Sequence, residues 1–317
     1  MSPEGRTNQV RDWVNPTRRP HGYGQLNWAN NEIGLRAVLE MAAPKGMQEL
    51  RGKSLADIGT GTGLVVRYLA PHVAKAVGVD VSEPMLHQVS PYPNLRLVAA
   101  DSTRLPLPDE SVDIVTTRMM LHGLPKPQAA LKEAWRILRP GGRLVASEYV
   151  IDKCNENGVT QARQADTVFL DKSFFTEPSS EELDFHRQLF DLKHEPERFL
   201  WTANEFTKLV SNACPDAADV TTHYSLIPFN SVENWLSKSG QGDFVAPVGL
   251  LVCLLPWNHP KYGVQVTDLD GKPLSEGKRD ELAYRCITAL ATNTMPDFQG
   301  VDAKIHRAFA NVAVTKK

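Results

Sequence analysis

The stretch LADIGTGTGLV, residues 55–65, decides the fold of this 317-residue chain. A short apolar run leads into three glycines spaced G-x-G-x-G, and a second apolar run follows them. Glycines between a buried strand and a helix mark the ligand-binding turn of open α/β sheets, and the N–H groups of such a turn are expected to point at the ligand. The residues around this turn therefore indicate both the fold and the ligand.

Five short apolar runs, each with turn residues nearby, make up the region around the turn. They are rich in Val, Leu, Ile and Ala and span residues 53–59, 75–80, 95–101, 112–117 and 143–150. Such runs predict strands that are buried on both faces of a sheet. Residues 128–139 show helical periodicity instead, and Pro140-Gly141-Gly142 predicts where that helix ends. Because strands alternate with helical segments, we expect an α/β fold with a parallel sheet and helices on both faces.

The rest of the chain adds segments that interrupt this alternation. A capping box at residues 202–205 predicts a helix start, and apolar runs at residues 220–229 and 305–314 predict two more strands. Helices are also expected over about residues 31–41 and around residues 181–190. The predicted organisation is an N-terminal lid segment and helix (1–45), a ligand-binding core (46–150), a cap insertion (151–200), a continuation of the core (201–231), an insertion that caps the core or mediates oligomerisation (232–303) and a final strand (304–317).

The composition narrows the classes of protein and partner. Positive and negative side chains nearly balance, with 35 Lys and Arg against 37 Asp and Glu, so neither nucleic acid nor an anionic membrane is an expected partner. No apolar run approaches the length of a membrane span, and no targeting leader is expected. The four cysteines are scattered and form no C-x-x-C pair, which indicates reduced thiols. We therefore expect a soluble, cytoplasmic protein.

Three carboxylates near the predicted strand ends indicate which ligand the turn binds. A dinucleotide fingerprint needs its third glycine one residue later than Gly63, and no Gly-Lys-Ser/Thr follows for a phosphate loop. Asp57 would repel a pyrophosphate but suits an ammonium group. Asp80 suits two ribose hydroxyls, and Asp101-Ser102 could meet an adenine edge. A ligand with an ammonium group, a ribose and an adenine but no phosphate is S-adenosylmethionine.

Five motifs lie in a characteristic order along the chain. They are Asp57-Ile58-Gly59-Thr60-Gly61-Thr62-Gly63, Val79-Asp80-Val81-Ser82, Ala100-Asp101, Leu121-His122 and Leu138-Arg139-Pro140-Gly141-Gly142-Arg143-Leu144. Together they resemble the class I S-adenosylmethionine-dependent methyltransferases, above all the branch with ubiquinone/menaquinone-biosynthesis and natural-product methyltransferases. The resemblance is strong over residues 52–150, weaker over 202–229 and not seen over 232–303. It implies a Rossmann-like seven-stranded, mostly parallel sheet with helices on both faces, an antiparallel C-terminal hairpin and helical lid or cap insertions.

The resemblance also implies a set of residues that bind S-adenosylmethionine and its product S-adenosylhomocysteine. Residues at these positions of the family contact the methionine part, hold the ribose hydroxyls or border the adenine. The positions are Asp57, Gly59, Thr60, Gly61, Gly63, Asp80, Val81, Asp101, Ser102, Thr117 and Arg118. The alternative for each residue, taken singly, is ordinary turn chemistry.

Two side chains at strand ends are candidates for catalysis. His122 follows the fourth apolar run, at the carboxyl edge where open α/β sheets place their sites, and could remove a proton from the acceptor or merely pack the next loop. Glu148 is a carboxylate in an apolar strand, which indicates either a cleft or a solvated strand end. In related enzymes an N-terminal segment closes over the donor, so Tyr23 and Trp28 are candidates for contact with the substrate together with His122. The alternative for this segment is a partly disordered tail.

The sequence thus predicts a methyltransferase that acts on an O, N or C atom of a small-molecule acceptor, by in-line displacement under a lid. The Asn/Asp-Pro-Pro-Tyr/Phe box that marks methylation of nucleic-acid amino groups does not follow the fourth run. No metal-ligand spacing stands out among the nine histidines, so no metal is expected. Two alternatives stay open: an enzyme of this fold that catalyses a rearrangement, cyclisation or decarboxylation instead, and a protein that only senses the donor. The chain could also form a homodimer.

Overall fold

The computed structural model describes part of the chain, and the described residues form two compact units. The described residues are 35–154, 168–170, 175–176, 180, 201–231, 264–268, 274–292 and 304–317. The first unit contains those within 35–148, 201–223 and 310–317. The second unit contains those within 149–180 and 224–309.

Strands make up much of the regular structure. The strands are β1 (Ser54–Ile58), β2 (Lys75–Asp80), β3 (Leu95–Ala99), β4 (Val112–Arg118), β5 (Leu138–Tyr149), β6 (Lys153–Cys154), β7 (Val168–Leu170), β8 (Phe175–Thr176), β9 (Ala217–Ser231), β10 (Val264–Thr267) and β11 (Lys304–Lys316). The α-helices are α1 (Arg36–Ala42), α2 (Leu64–Leu69), α3 (Glu83–Leu86), α4 (Pro127–Ile137), α5 (Ala203–Asn212) and α6 (Glu276–Thr292). Within the described residues, no helix is both long enough and apolar enough to cross a membrane.

The first unit is built on a sheet with the strand order β3-β2-β1-β4-β5-β11-β9. Only residues 217–223 of β9 and 310–316 of β11 belong to this unit. The strands β1 to β5 pair in parallel with their neighbours, and the C-terminal strands are antiparallel. Parallel pairing requires crossovers, and α2, α3 and α4 lie in three of them. The predicted seven-stranded, mostly parallel Rossmann-like sheet is confirmed. Its order reverses between β1 and β4, which is where open α/β sheets bind their ligands.

Apolar side chains from strands and helices form the core of this unit. Leu55, Ile114 and Val145 belong to one hydrophobic cluster with residues of α1 and α2. The helices α4 and α5 bury their own apolar stripes, which include Leu131 and Phe206. Each such side chain contributes about 1.5–3 kcal/mol when it is fully buried. The core therefore holds the carboxyl ends of β1, β4 and β5 in a fixed register.

Two expectations about strands and helix ends are wrong. The strand β3 has no buried residue, because it lies at the edge of the strand order and lacks a neighbour on one side among the described strands. The helix α4 ends at Ile137, and Pro140-Gly141-Gly142 lies inside β5 rather than after a helix. The pairing of β5 with β4 shifts register here, and a Cβ at Gly142 would lie 2.8 Å from the Asp113 carbonyl oxygen. These glycines therefore allow an irregular strand to approach its neighbour closely.

Other expectations about elements have mixed outcomes. The capping box is confirmed, since Thr202 and Glu205 each bond the other's backbone N–H at the start of α5. The helix expected around residues 181–190 lies outside the described residues, and so do residues 31–34 of the N-terminal helix. The strands predicted at 220–229 and 305–314 are confirmed and extend further, as β9 and β11. The six-part domain division stays a prediction.

The second unit contains three antiparallel strand pairs and one long helix. The pairs are β6 with β8, β7 with β9, and β10 with β11. The helix α6 buries Leu282 and Cys286 and exposes Tyr284 and Ile287. It lies in the insertion over residues 232–303.

Candidate active site

The glycine loop, residues 59–63, carries the chain from β1 into α2. Gly59 and Gly63 adopt φ angles of +72° and +83°, a region in which residues with a Cβ are strained. A Cβ at Gly59 would also lie 2.7 Å from Cβ of Met120, and one at Gly63 would lie 2.7 Å from Cγ1 of Val89. The glycines therefore allow both the left-handed turn and the close approach of neighbouring side chains.

The backbone of the glycine loop is bonded within the chain. The N–H groups of Gly59 and Thr60 donate to the Val79 carbonyl oxygen at 2.8 and 2.9 Å. The Gly61 N–H donates to Oδ2 of Asp80 at 2.8 Å. The expectation that the loop's N–H groups point at a ligand is therefore wrong for these three groups. A loop bonded in this way does not present a row of donors to a phosphate, which agrees with a ligand that has none.

Asp57 lies behind the loop as a buried carboxylate. It is 1% exposed, and it accepts hydrogen bonds from the hydroxyls of Thr60 and Thr116 at 2.7 and 2.8 Å. Burial raises the pKa of Asp57 to about 6, while the two hydroxyls oppose this shift and the charge of Asp80 adds to it. Since its surface is almost wholly covered, the structure places Asp57 as a support of the loop.

Asp80 ends β2 and joins two turns. Its Oδ2 accepts from Gly61, and its Oδ1 accepts from the N–H of Ser82 at 2.9 Å. Burial raises the pKa of Asp80, and the backbone donors from Ser82 and Gly61 oppose the shift. The next side chain, Val81, is 39% exposed. A carboxylate oxygen has more than one acceptor site, so Asp80 can still accept bonds from a ligand beside an apolar surface.

The remaining cofactor-binding candidates lie at the ends of β3 and β4. Asp101 is exposed, and its Oδ1 accepts from the N–H and hydroxyl of Thr103 at 2.8 and 2.9 Å, which is ordinary turn chemistry. Ser102 beside it is half-buried. Thr117 is buried, its hydroxyl has no hydrogen-bond partner among the described residues, and Arg118 ends the strand.

The two candidates for catalysis are in contact. Nδ1 of His122 lies 2.9 Å from Oε2 of Glu148. The other oxygen, Oε1, accepts from the N–H of Leu121 at 2.7 Å and from that of His122 at 3.3 Å. The Glu148 side chain is fully buried, whereas the His122 side chain is 15% exposed. Glu148 therefore fixes the histidine turn, Leu121–Gly123, at the end of β4.

The glycine loop and the histidine turn meet through Met120. This side chain packs against Gly59, and the residue before it, Met119, has a φ of +53° although it is not a glycine. Met119 donates its N–H to the Ser147 carbonyl oxygen at 2.9 Å. The sequence analysis did not identify Met120 or Thr116, because each contacts a residue about sixty positions away. Tyr23 and Trp28 lie outside the described residues.

Comparison with known proteins assigns residues 56–146 to a family described as "Methyltransferase domain". The chain is 32% identical to a demethylmenaquinone methyltransferase of Clavibacter sepedonicus, over 37% of this chain and 49% of that protein. It is 33% identical to a ubiquinone biosynthesis O-methyltransferase of Coxiella burnetii, over 44% of this chain and 57% of that protein. The chain thus spans about half the length of the curated relatives it matches.

Solved structures show the same fold. The YcgJ protein of Bacillus subtilis aligns with a TM-score of 0.52 at 16% identity, over 90% of this chain and 98% of that one. Phosphoethanolamine N-methyltransferase 2 of Haemonchus contortus, solved in complex with S-adenosylmethionine, aligns with a TM-score of 0.51 at 14% identity, over 100% of this chain and 60% of that one. Residues 56–146 therefore match a methyltransferase domain family, and the strand order agrees with the fold of these solved structures.

Proposed function

We propose that the chain transfers a methyl group from S-adenosylmethionine to a small-molecule acceptor by in-line displacement. The observation that carries this proposal is the placement of two sites at one edge of the sheet. The glycine loop follows β1, the histidine turn follows β4, and Met120 joins them. Relatives named for demethylmenaquinone and for ubiquinone biosynthesis support a small organic acceptor.

The residues at the ends of β1 and β2 fit the donor. The closed glycine loop allows close approach without an array of phosphate donors, and Asp80 offers acceptor sites for ribose hydroxyls. Exposed Val81 next to it offers an apolar surface for the adenine. Asp57 acts behind the loop by holding Thr60 and Thr116, rather than on the donor itself.

The histidine turn supplies the group that acts on the acceptor. Bound S-adenosylmethionine supplies an electrophilic methyl group on its sulfonium. The chain has to align the acceptor with that methyl group and keep water away, since alignment and a dry pocket account for much of the rate in such a displacement. An imidazole side chain can remove a proton from the acceptor, and His122 is the candidate for this role.

Further parts of the proposal concern segments that are mostly outside the described residues. We propose that residues 1–45, with Tyr23 and Trp28, and the insertions at 151–200 and 232–303 form the lid or cap of the acceptor site. A homodimer and a cytoplasmic location belong to the same proposal.

The experiment that tests the proposed function is label transfer from methyl-tritiated S-adenosylmethionine into a cell extract, followed by separation by size. We expect label in the small-metabolite fraction. Label in protein or nucleic acid would contradict the proposed class of acceptor. If no label moves after a wide panel of extracts and S-adenosylhomocysteine still binds in calorimetry, methyl transfer is contradicted and donor binding stands.

A further inference from the structure

We infer that Glu148 is a positioning residue, which holds His122 in the tautomer that carries its proton on Nδ1. This inference rests on the proposed function, because it concerns the base of the same reaction. From the sequence, Glu148 is a catalytic candidate that lies either in a cleft or at a solvated strand end. Full burial of its side chain assigns it to His122 instead.

The tautomer follows from the hydrogen bonds that Glu148 accepts. An ionised carboxylate has no proton to donate, so every group that bonds to it must donate. Its Oε1 takes the N–H groups of Leu121 and His122, and its Oε2 faces Nδ1 at 2.9 Å. In the inferred arrangement Nδ1 carries the proton and donates to Oε2, and the basic lone pair of the neutral ring is on Nε2.

The same contacts also fix the direction of the ring. Two of the three bonds to Glu148 come from the backbone of the histidine turn, so the turn and the ring are held by one side chain. Met120, adjacent to this turn, packs on Gly59, and the ring is thus anchored at a fixed place relative to the glycine loop.

A base fixed in this way indicates which acceptors require it. When the acceptor is an O–H or a C–H acid, the bond from the oxygen or carbon to the methyl group forms as the sulfur–methyl bond breaks. The acceptor's proton passes to Nε2 of His122, S-adenosylhomocysteine leaves with the electron pair of the broken bond, and no oxidant or reductant is needed. A pyridine nitrogen or a thioether has no proton to lose, so Glu148 and His122 would not accelerate its methylation by this route. The inferred acceptor is therefore a group that loses a proton on methylation: a hydroxyl, a carbon acid or a protonated amine.

The test measures the tautomer directly in the full-length protein labelled with ¹⁵N-histidine. At about pH 8.5, about two units above the ordinary histidine pKa, neutral rings report which nitrogen carries the proton. The signal of His122 is identified by its loss in His122→Asn. We expect protonated Nδ1 and unprotonated Nε2 in the wild type, and a wild-type ring protonated on Nε2 would overturn the inference without any variant.

Glu148→Gln sharpens the test because it keeps the size of the side chain. Its amide oxygen can still accept from the backbone N–H groups, which turns its NH₂ group toward Nδ1 and favours the opposite tautomer. We expect the His122 signals to reverse. The matched control is Glu133→Gln. The Glu133 carboxylate also accepts a hydrogen bond from a backbone N–H group, that of Leu105, and one from a cationic side chain, that of Arg136. This variant should leave His122 unchanged.

Activity separates the inference from the proposed function. With the small-metabolite fraction that accepts label, Glu148→Gln should lower the transfer rate about 10- to 100-fold and leave S-adenosylhomocysteine affinity unchanged. An unchanged rate or tautomer in a folded Glu148→Gln variant would overturn the inference alone. A wild type that binds donor but moves no label would contradict the proposed function instead.

Discussion

The glycine loop and the histidine turn are each held by a buried carboxylate, but the groups that bond to the two carboxylates differ. In each, a buried carboxylate near the end of a parallel strand accepts hydrogen bonds. The donors lie in the loop after the same strand, or in the neighbouring strand and the loop that follows it. Asp57 bonds two hydroxyls, those of Thr60 and Thr116. Glu148 bonds two backbone N–H groups and an imidazole that is 15% exposed.

The difference between the two carboxylates lies in what their partners can do. Hydroxyls do not titrate near neutral pH, so the bonds that Asp57 accepts from them fix the shape of the loop. An imidazole has two different ring nitrogens, so the contact with Glu148 also bears on which of them carries the proton. In the proposed function, one buried carboxylate supports the donor site and the other orients the base. The following predictions test this division, beginning with the largest expected effect.

His122→Ala should lower the rate of label transfer by about 10²- to 10⁴-fold, because it removes the proposed base. The affinity for S-adenosylhomocysteine should stay within about twofold, measured by calorimetry. The matched control is His72→Ala, which removes an exposed histidine that lies shortly before the start of β2. Equal losses of affinity and rate in His122→Ala would show that the histidine turn supports the donor site, and the division between the two regions would then be wrong.

Asp57→Asn should change how stability depends on pH. Burial raises the native pKa of Asp57 from 3.8 to about 6, so the native state binds this proton more tightly than the unfolded state does. The stability that this group contributes is therefore fully present below about pH 4. It is lost as the pH rises to about 6, and the free energy of unfolding falls by on the order of 2–3 kcal/mol. The variant has no carboxyl group at this position, so its free energy of unfolding should not fall in this way. Relative to the wild type, the variant should therefore become more stable as the pH rises through this window. Urea unfolding at several pH values measures the difference, and Thr116→Val, which removes one donor, should move the window to higher pH.

Gly59→Ala should destabilise the protein by about 1–3 kcal/mol more than Gly52→Ala does, because the added Cβ overlaps Met120. Gly52 is the matched control, since its φ of +83° is also positive but nothing lies within 4 Å of its added Cβ. When Met120→Ala is added to Gly59→Ala, the double variant should regain part of the lost free energy of unfolding. Equal costs at the two glycines in urea unfolding would mean that the contact between the glycine loop and the histidine turn contributes nothing.

Asp80→Ala should have the smallest of these effects, a loss of about tenfold in S-adenosylhomocysteine affinity. The variant removes the proposed ribose acceptor and the bond from the Gly61 N–H. Calorimetry measures it, with Asp109→Ala, an exposed carboxylate on the β3–β4 connection, as control. Unchanged affinity would contradict the assignment of Asp80 to the donor.

Local signals in the sequence were sufficient for much of the fold. The glycine spacing, the capping box at Thr202 and the apolar runs each predict a local conformation, because backbone angles and helix caps depend on neighbours within a few residues. Local signals failed where pairing competed with them. Pro140-Gly141-Gly142 has the chemistry of a helix end, yet it lies within β5, at the register shift between the two parts of this strand that pair with β4.

The sequence by itself determined the alternation of strands and helices, the glycine loop and the family resemblance, since each depends on short-range patterns. It also indicated His122 and Glu148 one by one. Only the tertiary structure decided that these two side chains are partners, that Asp57 supports Thr116, and that Met120 joins the loop to the turn. These contacts depend on the register of parallel strands, which places residues side by side that lie 26 and 59 positions apart in the chain. No local pattern encodes that register, because it results from the packing of the whole sheet.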